Sequence, residues 1–317
     1  MLRAARRAKA ALPDAGAAAA FVRGQALPDG GFRDRSGKAD LYYSVFGLQC
    51  LLALDALDEP AATGHSEPAA EAAGYSRPCA ERYLGSFGDP RGLDLVHAAC
   101  LARCWALVRP RHPAGRAGVG RALAERIESF RSADGGYNPV AGSAAGSAYG
   151  CFLALGAWQD LGREPPDAAQ YGPVWAGIVR CVRSLRIAGG GYTNEASLPF
   201  ASAPATAAAA LVLAELGRPA DESAAAYLVN CVHPSGGLVA MIGAPAADLL
   251  STATGLHALA RMGAPTDPSA AAAALGFVAD LMLEDGGFRG AQDDRAADCE
   301  YTFYGLLALG HLAGGPA

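Results

Sequence analysis

The sequence predicts an all-α fold, an α/α toroid (α6/α6 barrel) in which six helix-pair repeats surround a central cavity. Three observations predict it. A Gly-Gly pair followed by a large apolar residue recurs with a period of about fifty residues, in Asp29-Gly30-Gly31-Phe32, Asp134-Gly135-Gly136-Tyr137, Gly189-Gly190-Gly191-Tyr192, Ser235-Gly236-Gly237-Leu238 and Asp285-Gly286-Gly287-Phe288. Each pair follows a helix-like run, and a loop of about ten residues then leads to a second, more apolar helix. Six such second helices align, and no strand-like alternation competes with them.

In chain order, residues 1–21 are basic and then Ala-rich, interrupted by Pro13 and Asp14 with no Leu/Ile/Val/Phe run after them. They read as a helix and not as a signal peptide. Ala17–Arg23, Val119–Phe130 and Ala270–Leu283 are first helices of their pairs. The glycines after them suit the positive φ of a helix C-terminus, and the following aromatic plugs the gap beneath the turn. The second helices start at Asp40, Asp94, Ser143, Ser202, Asp248 and Asp298, the N-cap residue types six times over. Their eighth positions are Gly47, Leu101, Gly150, Ala209, Gly255 and Gly305, small where helices crowd. Repeat two lacks its Gly pair and keeps Gly92. The apolar second helices form an inner ring and the amphipathic first helices an outer one. An open solenoid has the same local pattern; six units with a small central residue favour closure, and the whole chain, 1–317, is expected to be one toroid domain.

The 317 residues are 51% hydrophobic and 18% charged, which excludes a disordered or coiled-coil chain. The net charge of −5, with no basic stripe, argues against nucleic acid. No run of about 18 apolar residues spans a bilayer. Eight cysteines without CxxC spacing, mostly within apolar runs, fit reduced, buried thiols in a cytoplasmic protein.

The Gly-Gly-aromatic punctuation, the Asp-x-x-(Tyr/His)-(Ser/Thr) helix starts and the closing run from Asp298 to Leu309 resemble the prenyltransferase/squalene-cyclase repeat over about Ala17 to Leu312. The resemblance implies a hydrophobic central cavity and a small-molecule isoprenoid substrate. It embraces protein prenyltransferase β subunits and class II terpene cyclases. In the β subunits an Asp, a Cys and a His bind zinc. Here Asp248 is kept, but Leu250 stands where the Cys belongs and Tyr301 where the His belongs, and no Arg or Lys lies between Gly237 and Asp248 to grip a diphosphate. No cofactor and no α-type partner subunit are therefore expected, with zinc the alternative.

Class II cyclases place an Asp-x-Asp-Asp motif at the same helix start, whose third residue protonates an alkene. Laid on repeat six, it puts Glu300 in the proton-donor position and Asp298 and Tyr301 beside it. Glu300 is the one acid at the third position, where the other repeats carry Tyr42, Val96, Ala145, Pro204 and Leu250. Asp298 also reads as an N-cap, and Glu300 also as a charge complementing the helix dipole. Fourth positions are Tyr43, His97, Gly146, Ala205, Ser251 and Tyr301, so a closed ring gathers the large polar groups on a wall of repeats six, one and two, opposite small residues of repeats three to five.

The expected catalytic residues are Glu300, Asp298, Tyr301, Tyr43 and His97. Substrate binding is expected at Tyr42, Phe46, Tyr149, Phe303 and Tyr304, whose ring faces suit a carbocation. Asp94, His97, Cys100 and Cys104 share a helix face and read either as core and rim residues or as part of a metal site. Arg33, Arg35, Lys38, Arg289 and Arg295 offer loop charge for an anionic headgroup. The leading expectation is a terpene-cyclase-like enzyme; the alternatives are a prenyltransferase β-like enzyme and a non-enzymatic lipid- or peptide-binding toroid.

Overall fold

The structure, a computed structural model, describes residues 1–58, 75–108, 117–164, 175–219, 222–264 and 267–313. After a short N-terminal helix α1 (Leu2–Ala5) and a 3-10 turn (Arg6–Ala10), outer and inner helices alternate. They are α2 (Ala15–Gly24), α3 (Leu41–Ala53), α4 (Arg77–Gly85), α5 (Leu95–Val108), α6 (Ala117–Glu128), α7 (Ala148–Asp160), α8 (Ala176–Ser184), α9 (Ala203–Glu215), α10 (Glu222–Asn230), α11 (Leu249–Arg261), α12 (Pro268–Asp280) and α13 (Cys299–Leu312). The inner helices α3, α5, α7, α9, α11 and α13 each pack on the next, and α13 packs on α3. The ring is closed. Their N-termini meet at the upper rim, and at the lower end α1 and the 3-10 turn lie across α13 and α3, where Arg7 Nε donates to the Gly310 carbonyl at 2.8 Å.

Inner and outer helices differ as the composition demands. Most residues of α3 and α13 are buried, whereas α8 and α12 bury only one stripe. Seven of the eight cysteines are buried and none forms a disulfide.

The Gly pairs act one step beyond the helix end. Helix α2 stops at Gly24 with Gln25 still in the right-handed region, and Gly30 (φ 96°) closes a tight turn by donating to the Leu27 carbonyl at 2.9 Å. The positive φ is as expected; its place is a hairpin turn and not the helix C-cap. A Cβ on Gly30 would lie 2.1 Å from the Cys79 carbonyl of α4, so the turn can butt against the next outer helix only as glycine. Gly286 makes the same contact with the backbone of Ala17 in α2, which closes the outer ring.

A hydroxyl at the fifth inner-helix position explains the Ser/Thr of the repeat. Ser44, Thr206, Thr252 and Thr302 accept from the backbone N–H of Phe32, Tyr192, Leu238 and Phe288 at 2.9, 2.9, 2.8 and 3.1 Å. Ser44, Thr252 and Thr302 also donate to the carbonyl of their own N-cap residue. Three two-residue ladders, Phe32–Arg33 with Ala39–Asp40, Leu238–Val239 with Ala247–Asp248, and Phe288–Arg289 with Ala297–Asp298, bring each plug residue to its cap. The plug side chains of Phe32, Leu238 and Phe288 then lie on Gly47, Gly255 and Gly305, where a Cβ would come within 2.4, 2.5 and 2.5 Å of them. Thr302→Val keeps the volume but leaves the buried Phe288 N–H unpaired. It is expected to cost about 1–3 kcal/mol in urea denaturation; unchanged stability would show that the hydroxyl is dispensable.

Repeat three corrects the alignment. Ser147, not Ser143, caps α7, accepting from the Gly150 N–H at 2.9 Å. Ser143 donates its hydroxyl to the Val140 carbonyl, and Asp134 holds the Gly146 N–H in a loop, at 3.1 and 3.2 Å from its two carboxylate oxygens. Ser147 stands as far after Tyr137 as Ser202 after Tyr192, Asp248 after Leu238 and Asp298 after Phe288. The third, fourth and eighth positions of repeat three are therefore Tyr149, Gly150 and Ala154, in place of Ala145, Gly146 and Gly150.

Candidate active site

With the cap residue as position one, positions three, seven, ten and fourteen of a helix fall within a narrow arc. That arc lines the barrel. Third positions contribute Tyr42, Tyr149, Pro204 and Leu250; seventh positions Phe46, Cys100, Leu153, Ala208, Thr254 and Tyr304. Tenth positions add Gln49, Arg103, Gly156, Leu211 and His257, and fourteenth positions Asp160, Glu215, Arg261 and His311. The result is an aromatic upper chamber of about 310 Å³ and a larger, charged lower chamber of about 700 Å³, which share a wall containing Tyr42, Tyr149, Phe152, Leu211 and Tyr304.

All five residues expected to bind substrate line these chambers. Phe46 sits at the centre of an aromatic cluster, its ring centroid 5.0 Å from Tyr42, 5.5 Å from Tyr304 and 5.9 Å from Phe303. Tyr149 is 37% exposed and contributes to the wall of both chambers. Its presence amends the expected asymmetry: repeat three adds aromatic surface, and the small wall is built by repeats four and five, with Pro204, Ala205, Ala208 and Thr254.

Glu300 lines neither chamber itself; its Oε1 accepts from the hydroxyl of Tyr42, which lines both, at 2.6 Å. Repeats six and one therefore meet as the closed ring requires. Burial raises the Glu300 carboxyl above its usual range and the Asp298 charge adds to this, while the Tyr42 hydrogen bond and Arg35 offset part of it. Burial also raises the Tyr42 phenol, so Tyr42 is the donor in this bond.

Asp298 is 5% exposed and fully engaged: one oxygen accepts from the Tyr301 N–H at 2.8 Å, the other from Arg35 Nε at 2.7 Å. Arg35 also holds Asp294 at 2.7 Å and lies 5.4 Å from the Tyr301 ring centroid. Tyr301 packs on Gly290, away from the cavity. His97 pairs with Asp94 at 2.9 Å and Asp40 at 3.4 Å; burial lowers its affinity for a proton, but these two carboxylates outweigh burial and raise it. Like Glu300, the expected catalytic residues Asp298, Tyr43, Tyr301 and His97 lie outside the residues lining the two chambers.

Three of the five loop cations, Arg33, Arg35 and Arg289, have structural partners. Arg33 donates to the Gly24 carbonyl and to Gln25, and Arg289 to the Asp280 carbonyl at 3.1 Å. Zinc does not fit this site: Leu250 lines the upper chamber, Asp248 is taken up by Ser251 at 2.7 Å, and among the described residues no three His, Cys, Asp or Glu are placed to hold a metal ion.

Sequence reasoning missed the lower chamber. Arg103 Nε holds Asp160 at 2.6 Å, and Arg261 holds Glu215 at 3.3 Å. Burial, only partly offset by Arg103, raises Asp160 to about 6. The signal was present in positions ten and fourteen of the repeat, whose polar residues lie past the helix starts where the motifs are found.

The sequence model of the prenyltransferase alpha-alpha toroid domain matches residues 8–72 and 205–314. The chain belongs to this family. Among solved structures, this member of the prenyltransferase toroid family is similar to a type II terpene cyclase, MstE from Scytonema, in the apo form of a point variant (TM-score 0.62, 13% identity, 97% of each chain covered). It is also similar to MstE in complex with its substrate, geranylgeranyl dihydroxybenzoate (TM-score 0.59, 14% identity, 99% of this chain and 98% of that one). A protein from Actinoplanes is similar as well (TM-score 0.56, 15% identity, 96% of this chain and 98% of that one). These likenesses show the toroid fold. No curated protein matches the chain by sequence. No helix among the described residues is long and apolar enough to cross a membrane.

Proposed function

We propose that the chain is a terpene-cyclase-like enzyme that protonates a polyprenyl substrate and cyclises it in the barrel, with Glu300 as the acid. One observation carries this reading: the sole carboxyl at the third inner position is half-buried, raised in pKa and hydrogen-bonded to a tyrosine whose ring forms part of the wall of an aromatic cavity. Protonating an alkene requires an acid kept protonated, and the cation left behind requires π faces and exclusion of water. Asp298 is a positioning residue. It caps α13 and raises Glu300 by its charge, and Arg35 clamps it across the seam between repeats six and one. Tyr43, Tyr301 and His97 support the rim.

The MstE structure, whose substrate joins an isoprenoid to a dihydroxybenzoate, supports a substrate with a polar head. Four guanidinium groups, Arg3, Arg7, Arg103 and Arg261, face two carboxylates, Asp160 and Glu215, in the lower chamber, and this cation excess suits an anionic head. The barrel binds a small molecule inside one chain and acts in the cytoplasm. The absence of a zinc-binding constellation around Leu250 argues against thiol prenylation.

Incubation with geranylgeranyl diphosphate and with geranylgeranyl dihydroxybenzoate, followed by mass spectrometry and NMR, tests the reading. Cyclic products of unchanged mass are expected. Release of diphosphate, or recovery of both probes intact, contradicts it. Since the active form of Glu300 is protonated, the rate is expected to fall as pH rises through its raised pKa; a rate that instead rises over that range would exclude Glu300 as the acid.

A further inference from the structure

A cyclisation that begins by adding a proton ends by losing one, unless water captures the cation. The lower chamber holds a pair of groups suited to that loss. His257 of α11 and His311 of α13 meet there with Nδ1 and Nε2 2.9 Å apart, and both rings line the chamber. Glu300 and His311 lie on the same helix, eleven residues apart. That is about three full turns, so the two lie on one face of α13, separated by about 16 Å along the helix axis.

Two neutral imidazoles carry two protons on four nitrogens. The bridge between them uses one proton and one lone pair, so the two outer nitrogens carry one proton and one lone pair, whichever ring donates. Burial first, then the surrounding cations, hold the rings neutral: the Met1 amine, Arg261 and Arg7 lower His257 to about 2, and Arg7 and the Met1 amine lower His311 to about 4. The chamber's two carboxylates are already engaged, Asp160 by Arg103 at 2.6 Å and Glu215 by Gln159 at 3.1 Å and Arg261 at 3.3 Å.

We infer that the His257–His311 pair is the proton acceptor that ends the reaction, an assignment that rests on the cyclase reading. The C–H bond beside the last cationic carbon breaks, and its electron pair becomes the new C=C bond. The proton goes to the outer ring nitrogen that holds the lone pair, and the bridging proton moves to the partner ring. The burial and cations that weaken the pair's hold on a proton then return it to water, while Glu300 regains one from solvent. Substrate and product are isomers, as the proton balance requires.

The test compares the wild type with His257→Phe and His311→Phe, and with His257→Gln and His311→Gln in case the apolar variants fail to fold, using geranylgeranyl dihydroxybenzoate and geranylgeranyl diphosphate as probes. The readout is the identity of the product formed from whatever substrate is consumed, because protonation at Glu300 precedes the step assigned to the pair. The product is expected to change, to an alkene with its double bond elsewhere or to an alcohol one water heavier. Folded variants that consume the probe and release the wild-type product would overturn the inference alone. A wild type that consumes neither probe would overturn the cyclase reading and the inference with it.

Discussion

Glutamine in place of Glu300 is expected to lower turnover about a thousandfold, the order of a lost general acid, with little change in thermal stability. Glutamine keeps the size of the side chain and an oxygen to accept from Tyr42, now 2.6 Å from Oε1, but it has no acidic proton to give. Steady-state rates and a melting curve on the same sample decide the matter. Retained turnover would remove Glu300 from the chemistry. Asp298→Asn separates support from catalysis: it can still cap α13, yet it loses the charge that Arg35 binds and that raises Glu300. A smaller rate loss with an altered pH profile is expected.

The second large effect concerns closure of the ring. Gly286→Ala forces alanine into φ 90° and brings its Cβ within 2.5 Å of the Ala17 backbone in α2. Backbone strain and overpacking each cost about 1–3 kcal/mol, so a loss of about 3 kcal/mol is expected. In a chain of this size that lowers Tm by roughly 4–5 °C. Gly37→Ala is the control, since Gly37 has φ 85° but nothing within 4 Å of its would-be Cβ. A drop no larger than that of Gly37→Ala would mean the outer ring tolerates opening at the seam.

The repeat made the fold legible because it marks what each helix pair must satisfy locally. The cap carboxylate, the hydroxyl four residues later and the glycine beneath the plug residue are short-range requirements, each met within one repeat. The slip at Ser143 came from choosing a cap by residue type; the constant spacing from Tyr137 points to Ser147, because the ladder between plug and cap has a set length.

The upper part of the site was legible for the same reason. Glu300, Tyr42, Phe46 and Tyr304 occupy aligned positions, and closure of the ring brings Tyr42 to Glu300 across 258 residues of sequence. The roles of Tyr301 and Arg35 were not legible. Whether Tyr301 faces the cavity or packs on Gly290 depends on the loop beside it, and whether Arg35 meets a ligand or clamps Asp294 and Asp298 depends on the far end of the chain.

From its residues alone the chain determines six helix pairs, their caps, the glycines at their turns and a single acid at the inner rim, since all of these answer to backbone geometry over about fourteen residues. Only the tertiary structure decides that Asp160, Glu215, Arg261 and His311 form one tier, that His257 bonds His311, and that a charged chamber lies beneath an aromatic one. Those contacts join helices about fifty residues apart, and their chemistry arises from burial, which no single repeat possesses until the ring has closed.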